Sequence, residues 1–271
     1  MTTTDVRIGA VGAAEPAVVT RSGRMKALAR AELTLLGRNK SSLFTVLVLP
    51  AMMTMSMYSG VRGIDLKDTG LTVGTVLLPG SLGFVLLFAV YSGLVGVYVV
   101  RREELVLKRL RTGELRDVEI LTGAALPSVL IGLAQCVLLA VGSSIVMQVG
   151  APRAVWFALV GLALGLVMTC ALAAATAAFT KSAEGAQIAI MPMLLLSMAG
   201  SGMIVPLDVL PDQVATACEL LPLTPVIGLI RAGWTGSPDA GEVLRMLSTV
   251  VAWTALSVFA VRSRFRWEPR R

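Results

Sequence analysis

Histidine is absent from the 271 residues, which removes His-based metal sites, catalytic triads and proton relays from consideration. The 3 cysteines, Cys136, Cys170 and Cys218, are odd in number and show no metal-ligand spacing, so neither a disulfide framework nor a metal centre is expected. Glycine is never followed by lysine, so the phosphate-binding loop G-x-x-x-x-G-K-[ST] cannot be written; the nearest fragment, Thr180-Lys181-Ser182, lacks the glycines. Acidic residues are few, 17 against 24 Lys and Arg, and none falls near the middle of a long apolar stretch. Ionisable groups at membrane depth mark proton and sodium pathways. The chain is therefore expected to draw neither on bound ATP nor on an ion gradient of its own.

What is present is apolar: 55% hydrophobic residues and a mean hydropathy of +0.79. Six stretches can cross a bilayer: Leu43–Gly60, Val73–Val100, Ile120–Val149, Ala154–Phe179, Ile188–Val205 and Val243–Val261. A hydrocarbon core of ~30 Å takes about 20 helical residues, and lipid cannot satisfy exposed backbone groups, so helices are expected. The fold class is an all-α integral membrane protein with six transmembrane helices. Lys and Arg are retained on the cytoplasmic side. With both termini cytoplasmic, only Arg62, Lys67, Arg153, Arg231 and Arg245 lie outside. Residues 23–261 read as one membrane domain, between a mobile tail (1–22) and a basic cytoplasmic tail (262–271). Ile8–Ala14 is too short and Gly-rich for a signal peptide.

Gly23–Lys40 carries Met25, Leu28, Ala29, Leu33 and Leu36 at helical spacing with basic residues between them. It reads as an interfacial amphipathic helix, either a plain anchor or a lever against a cytosolic partner. Most of the 13 methionines cluster in the first and fifth spans. Met53 and Met57 share a helix face, as do Met191 and Met198. Soft thioether side chains suit a path for varied apolar ligands, although ordinary lipid-facing or core methionine is the simpler reading. Gly161 and Gly165 permit close helix approach, expected within the subunit. Beyond the fifth span, Pro211–Leu221 is a short helix candidate stopped by Pro222. Val214, Ala217, Cys218 and Leu221 form its apolar face, and Asp208 or Leu210 its cap. It cannot span, so it is expected to dip into the outer leaflet and return.

The inner loop Arg101–Glu119 reads RREELVLKRLRTGELRDVE. Glu104 and Lys108 form an i,i+4 pair, Leu107 and Leu110 an apolar edge, Gly113 a C-terminal stop, and Asp117 a cap for the third span. A solvated charged turn and a docking knob both fit this pattern.

Two segments resemble the permease subunit of type-2 ATP-binding-cassette (ABC) exporters. One is Arg102-Glu103-Glu104 followed by Leu107-Lys108-Arg109-Leu110-Arg111-Thr112 and Glu114-Leu115, similar to the family's inner loop; Leu105-Val106 stand where the family commonly has Gly-Thr. The other is Gly202-Met203-Ile204-Val205-Pro206-Leu207, then Leu210-Pro211, Leu221-Pro222-Leu223-Thr224-Pro225 and Arg231. The resemblance implies a bacterial plasma-membrane exporter of drugs, antibiotics, peptides or lipid-like molecules. Two permease chains, identical or closely related, would pair among membrane lipids above two cytosolic ATPase subunits, which hold ATP and magnesium; nucleic acid plays no part. It also implies a coupling helix over Arg101–Arg111, with Arg101, Arg102, Glu103, Glu104, Leu107, Lys108, Arg109 and Arg111 facing the ATPase. The substrate path would lie between the permeases, lined by spans one, two and five; that Met53, Met57, Met191 and Met198 line it is the separate reading of the methionine pattern given above. Pro206, Leu207, Pro211, Pro222 and Pro225 would form an outer re-entrant gate. Rival readings are a membrane-embedded immunity or scaffold protein and a lipid-modifying enzyme. For the enzyme, Asp208, Asp212 and Glu219 offer carboxylates but no paired base.

Overall fold

In hydrocarbon each segment must satisfy its own backbone groups, and the apolar stretches do so as helices. The computed structural model describes residues 73–112, 116–146, 150–203, 207, 210–236, 238–265 and 267, with isolated positions between 23 and 59. The regular elements among them are α1 (Val73–Phe84), a π-helical segment (Val85–Ser92), α2 (Gly93–Glu103), α3 (Val106–Arg111), α4 (Asp117–Val146), α5 (Val155–Phe179), α6 (Ala183–Gly200), α7 (Asp212–Glu219), α8 (Leu223–Thr235) and α9 (Ala240–Arg264). Among the described residues, five helices are long and apolar enough to cross a membrane: Leu77–Glu103, Asp117–Val146, Val155–Phe179, Ala183–Gly200 and Ala240–Arg264. They answer to the second through sixth expected spans. Apart from the isolated positions, the Gly23–Lys40 helix and the Leu43–Gly60 span, with Met53 and Met57, lie outside the described residues.

The rod formed by α1, the π segment and α2 is the centre of the bundle: 67% of its apolar window is buried, against 11% for α9. Leu86, Leu87, Val90, Tyr91, Leu94 and Val95 are almost wholly enclosed. The Tyr91 hydroxyl lies 3.0 Å from Thr176 Oγ1 on α5, and the Tyr98 hydroxyl donates to the Leu121 carbonyl of α4 at 2.9 Å. A π segment widens the helix and turns the faces on either side of it relative to one another. Here it lets one rod serve α4 and α5 together.

The glycine pair on α5 does pack within the chain. A Cβ at Gly161 would sit 2.9 Å from Leu229 Cβ, and one at Gly165 2.6 Å from Val226, both on α8. Gly80 on α1 lies directly against the Met203 backbone carbonyl, leaving no room for a side chain.

Three elements differ from the sequence expectation. α6 starts at Ala183 rather than Ile188, because Ser182 Oγ accepts from Gly185 N–H as an N-cap and Glu184 occupies the first turn. α7 ends at Glu219, short of Pro222, and Pro222 is also the N-cap of a further helix, α8, that the sequence reading did not expect. Proline suits a helix start, where the first N–H groups have no helical partners, so Pro225 also fits in the first turn. α7 and α8 meet at 98° as a bent pair. Finally, Leu210 does not cap α7, whose N-cap is Pro211; Asp208 is outside the described residues. Of the expected apolar face of α7, Val214 and Ala217 are exposed. Cys218 and Leu221 meet Gly200.

Candidate functional site

The charged segment after α2 does not form one helix from Arg101 to Arg111. α2 runs through Glu103, Glu104 caps it, and Leu105 takes a left-handed conformation (φ 60°, ψ 12°) before α3 begins at Val106. The Glu104–Lys108 pair therefore straddles a break, and its helical i,i+4 geometry does not exist.

Within this segment, side chains expected at an external interface divide into two groups. Arg102 is fully buried. Its Nη1 donates to the Ala177 carbonyl at 2.8 Å, and its Nη2 to the carbonyls of Thr180 at 2.5 Å and Lys181 at 3.4 Å. These oxygens are the unsatisfied, partially negative end of α5, where a cation is favoured. The next residue does the reverse: Glu103 Oε1 accepts from Ala183 N–H at 3.2 Å, the first amide of α6. Arg102 and Glu103 thus clamp the turn between α5 and α6 to the foot of α2, each charge matched to the helix end it meets. Leu107 is also fully buried and anchors α3 from beneath. Arg102 and Leu107 therefore do not belong among residues presented to a partner.

The exposed set is Glu103, Glu104, Lys108, Arg109 and Arg111; Arg101 is half-buried. Arg111 is held on the protein: its Nε is 3.0 Å from Asp117 Oδ1, and its guanidinium lies 5.0 Å from the Trp267 ring. Asp117 is the first residue of α4, so the cap expected of it comes from elsewhere. Glu119 Oε2 reaches back to the Arg116 N–H at 3.0 Å, the half of a capping box that a glutamate three residues in provides. Gly113 lies outside the described residues. The result is a rigid, basic knob one and a half turns long, projecting Lys108 and Arg109.

At the other end of the bundle, the α7–α8 hairpin is braced on all sides. The Arg231 guanidinium donates to the Gly202 carbonyl at 2.8 Å, Trp253 Nε1 to the Leu220 carbonyl at 2.8 Å, and Thr224 Oγ1 to the Cys218 carbonyl at 2.6 Å. Arg245 of α9 pairs with Glu219 at 2.8 Å. Pro222 and Pro225 are buried here, Leu207 is half-buried and Pro211 exposed; Pro206 is outside the described residues. Met191 is exposed on α6 and Met198 packs on the core. They are not brought to a common cavity. Among the described residues, no three His, Cys, Asp or Glu side chains converge as a metal site requires.

Sequence reasoning missed the α5–α6 turn as the partner of Arg102 and Glu103, and α8 as part of the hairpin. A signal existed for each: Ser182 followed by Glu184 marks a helix start, and so does Pro222-Leu223-Thr224-Pro225.

No curated protein matches the chain. The family profile of the ABC-2 type transporter matches residues 24–234, a region that takes in the clamp, the knob and the hairpin. With a membrane-spanning helical bundle already in view, that match over most of its length places the chain in the ABC-2 type transporter family, as an ABC permease.

Proposed function

We propose that the chain is the permease subunit of an ATP-driven exporter, carrying an apolar or amphipathic cargo out across a bacterial plasma membrane. Both termini face the cytoplasm, so α3 meets a separate cytosolic ATPase that binds ATP and magnesium. Two ATPase subunits serve two permease chains. The observation that carries this reading is the Arg102–Glu103 clamp beside an exposed basic knob. A push on Lys108 and Arg109 moves α3; Leu107 and the clamp pass it to α2, to the end of α5 and to the start of α6 together. A solvated turn would need no such anchoring. The hairpin at the far end is the outer gate, and the exposed Met191 of α6, with Met53 and Met57 of the first span, lines the cargo path.

The test is purification of the tagged chain from its own host. A stoichiometric ABC ATPase is expected with the native chain. Lys108→Glu with Arg109→Glu should remove the ATPase while leaving membrane insertion intact, since both side chains are exposed and reversal puts like charges at the contact. No ATPase with the native chain, or full retention by the doubly reversed one, overturns the proposal.

A further inference from the structure

Between α5 and α9 a groove of about 450 Å3 opens on the surface of the bundle. From α9 it is lined by Val251, Thr254, Ala255, Val258, Phe259 and Arg262, the i, i+3, i+4, i+7 pattern of one helix face. Leu164 and Val167 of α5 form the opposite wall. Val167, Val251 and Phe259 are exposed. The Thr254 hydroxyl is engaged in its own helix, donating to the Val250 carbonyl at 2.8 Å. The wall therefore offers an occupant apolar contact alone until it reaches Arg262.

Length and direction relate the groove to the bilayer. Val251 sits at the middle of the 25-residue α9. From Val251 to Arg262 the face measures about 16 Å at 1.5 Å per residue, close to half of a ~30 Å hydrocarbon core. Phe157, near the start of α5, shares an apolar cluster with Val243 and Met246, near the start of α9. The two helices thus run in the same direction, and Arg262 lies at the clamp end. The groove spans one leaflet, with its single charge at the leaflet surface. Arg262 is exposed and pairs with no carboxylate among the described residues, and no carboxylate lines the groove. A guanidinium presents a fork of donors that matches phosphate oxygens.

We propose that this groove is a site for an anionic phospholipid of the leaflet at the clamp end. One acyl chain lies along the α9 face, and the headgroup phosphate accepts from the Arg262 guanidinium. Net negative charge is required because nothing lining the groove receives an ammonium; a zwitterionic headgroup would leave its own cation beside Arg262. A second copy of the chain fits less well. Two α9 faces paired about a two-fold axis normal to the membrane would bring both Arg262 side chains to the same depth, with no carboxylate between them. The groove shares no residue with the proposed cargo path, knob or hairpin, and the site holds whether or not the chain exports.

The experiment uses the full-length chain, purified and followed by native mass spectrometry with phosphatidylglycerol or phosphatidylethanolamine carrying the same acyl chains. Phosphatidylglycerol should be retained about fivefold better, the scale of one basic residue at an anionic membrane surface. Arg262→Gln should bring the two lipids level. Ala255→Phe, which fills the groove without touching the charge, should release the tightly held phosphatidylglycerol. Ala255 and Arg262 are both exposed, so both variants should fold. Equal retention of the two lipids by the native chain overturns the proposal and needs no variant. A preference that survives Arg262→Gln overturns it too. So does native retention by Ala255→Phe, which would make Arg262 an interfacial anchor alone. Efficient cross-linking of two chains through Phe259→Cys in a lipid-free dimer would give the groove to a second copy, and would equally overturn it.

Discussion

Arg102 shows how far burial can depart from composition. Four charged residues in succession, Arg101-Arg102-Glu103-Glu104, read as a solvated run, yet one of them is among the largest fully buried side chains among the described residues. What buries it is the end of α5, far away in the sequence, and no local pattern encodes that. Leu107 was misread for the same reason: its spacing with Leu110 shows an apolar edge but not which side the edge faces. Removing Arg102 leaves the carbonyls of Ala177 and Thr180 buried without a donor. Arg102→Ala should therefore cost roughly 2–4 kcal/mol, since breaking a buried, charge-assisted hydrogen-bond set is expensive. Arg102→Lys should recover only part of it, because an ammonium cannot span oxygens that the planar guanidinium bridges. Glu103→Gln, exposed and making a single contact, should change little. Unfolding midpoints of the purified variants check the order, native near Gln, then Lys, then Ala.

Among the elements, the spans were legible because hydropathy is local and each needs only its own residues. Boundaries were less so. The first turn of α6 holds Glu184, which hydropathy reads as loop, yet a carboxylate at a helix N-terminus is stabilising. α8 was hidden by Pro222, read only as the stop of the helix before it although it also begins the next. The π segment Val85–Ser92 has the composition of any apolar helix, and nothing in it announces the wider turn. The break between α2 and α3 is the instructive case. Leu105 stands where the resemblance places glycine, and its left-handed φ of 60° is the conformation glycine adopts freely. A non-glycine residue there pays about 1–2 kcal/mol, while glycine would cost about 0.5–1 kcal/mol through the freedom it adds to the unfolded chain. Leu105→Gly should thus be neutral to about 1 kcal/mol stabilising, the leucine being 38% exposed and losing little packing. Leu105→Val, β-branched and poorly suited to that region, should destabilise. Chemical unfolding of both variants decides the sign.

At the scale of the whole molecule, the chain has two worked ends joined by α2, α5 and α6. The clamp grips the α5–α6 turn at one end, and at the other α6 finishes against the hairpin. Gly200 is the last residue of α6, and a Cβ there would lie 3.9 Å from Cys218 Cβ on α7 and 3.1 Å from its Sγ. Disulfides join Cβ atoms about 3.5–4.5 Å apart. The nearest obstacle is the tip of the Leu221 side chain, which can swing aside. Gly200→Cys should therefore cross-link to the native Cys218 under mild oxidation, without a second engineered residue. Cys136 and Cys170 sit on α4 and α5 and offer no competing partner at that position. If the hairpin is a gate that moves against α6 in each cycle, oxidation should arrest ATP turnover by the permease–ATPase assembly, and dithiothreitol should restore it. Adding Cys218→Ser should abolish the sensitivity, which separates the cross-link from nonspecific oxidation. An oxidised, fully cross-linked protein that turns over ATP and moves cargo like the reduced one would mean that α6 and the hairpin travel as one body. The moving boundary would then lie elsewhere, between the hairpin and α9, which the Glu219–Arg245 pair, the Trp253 hydrogen bond and the packing of Met246 against Gly228 hold together.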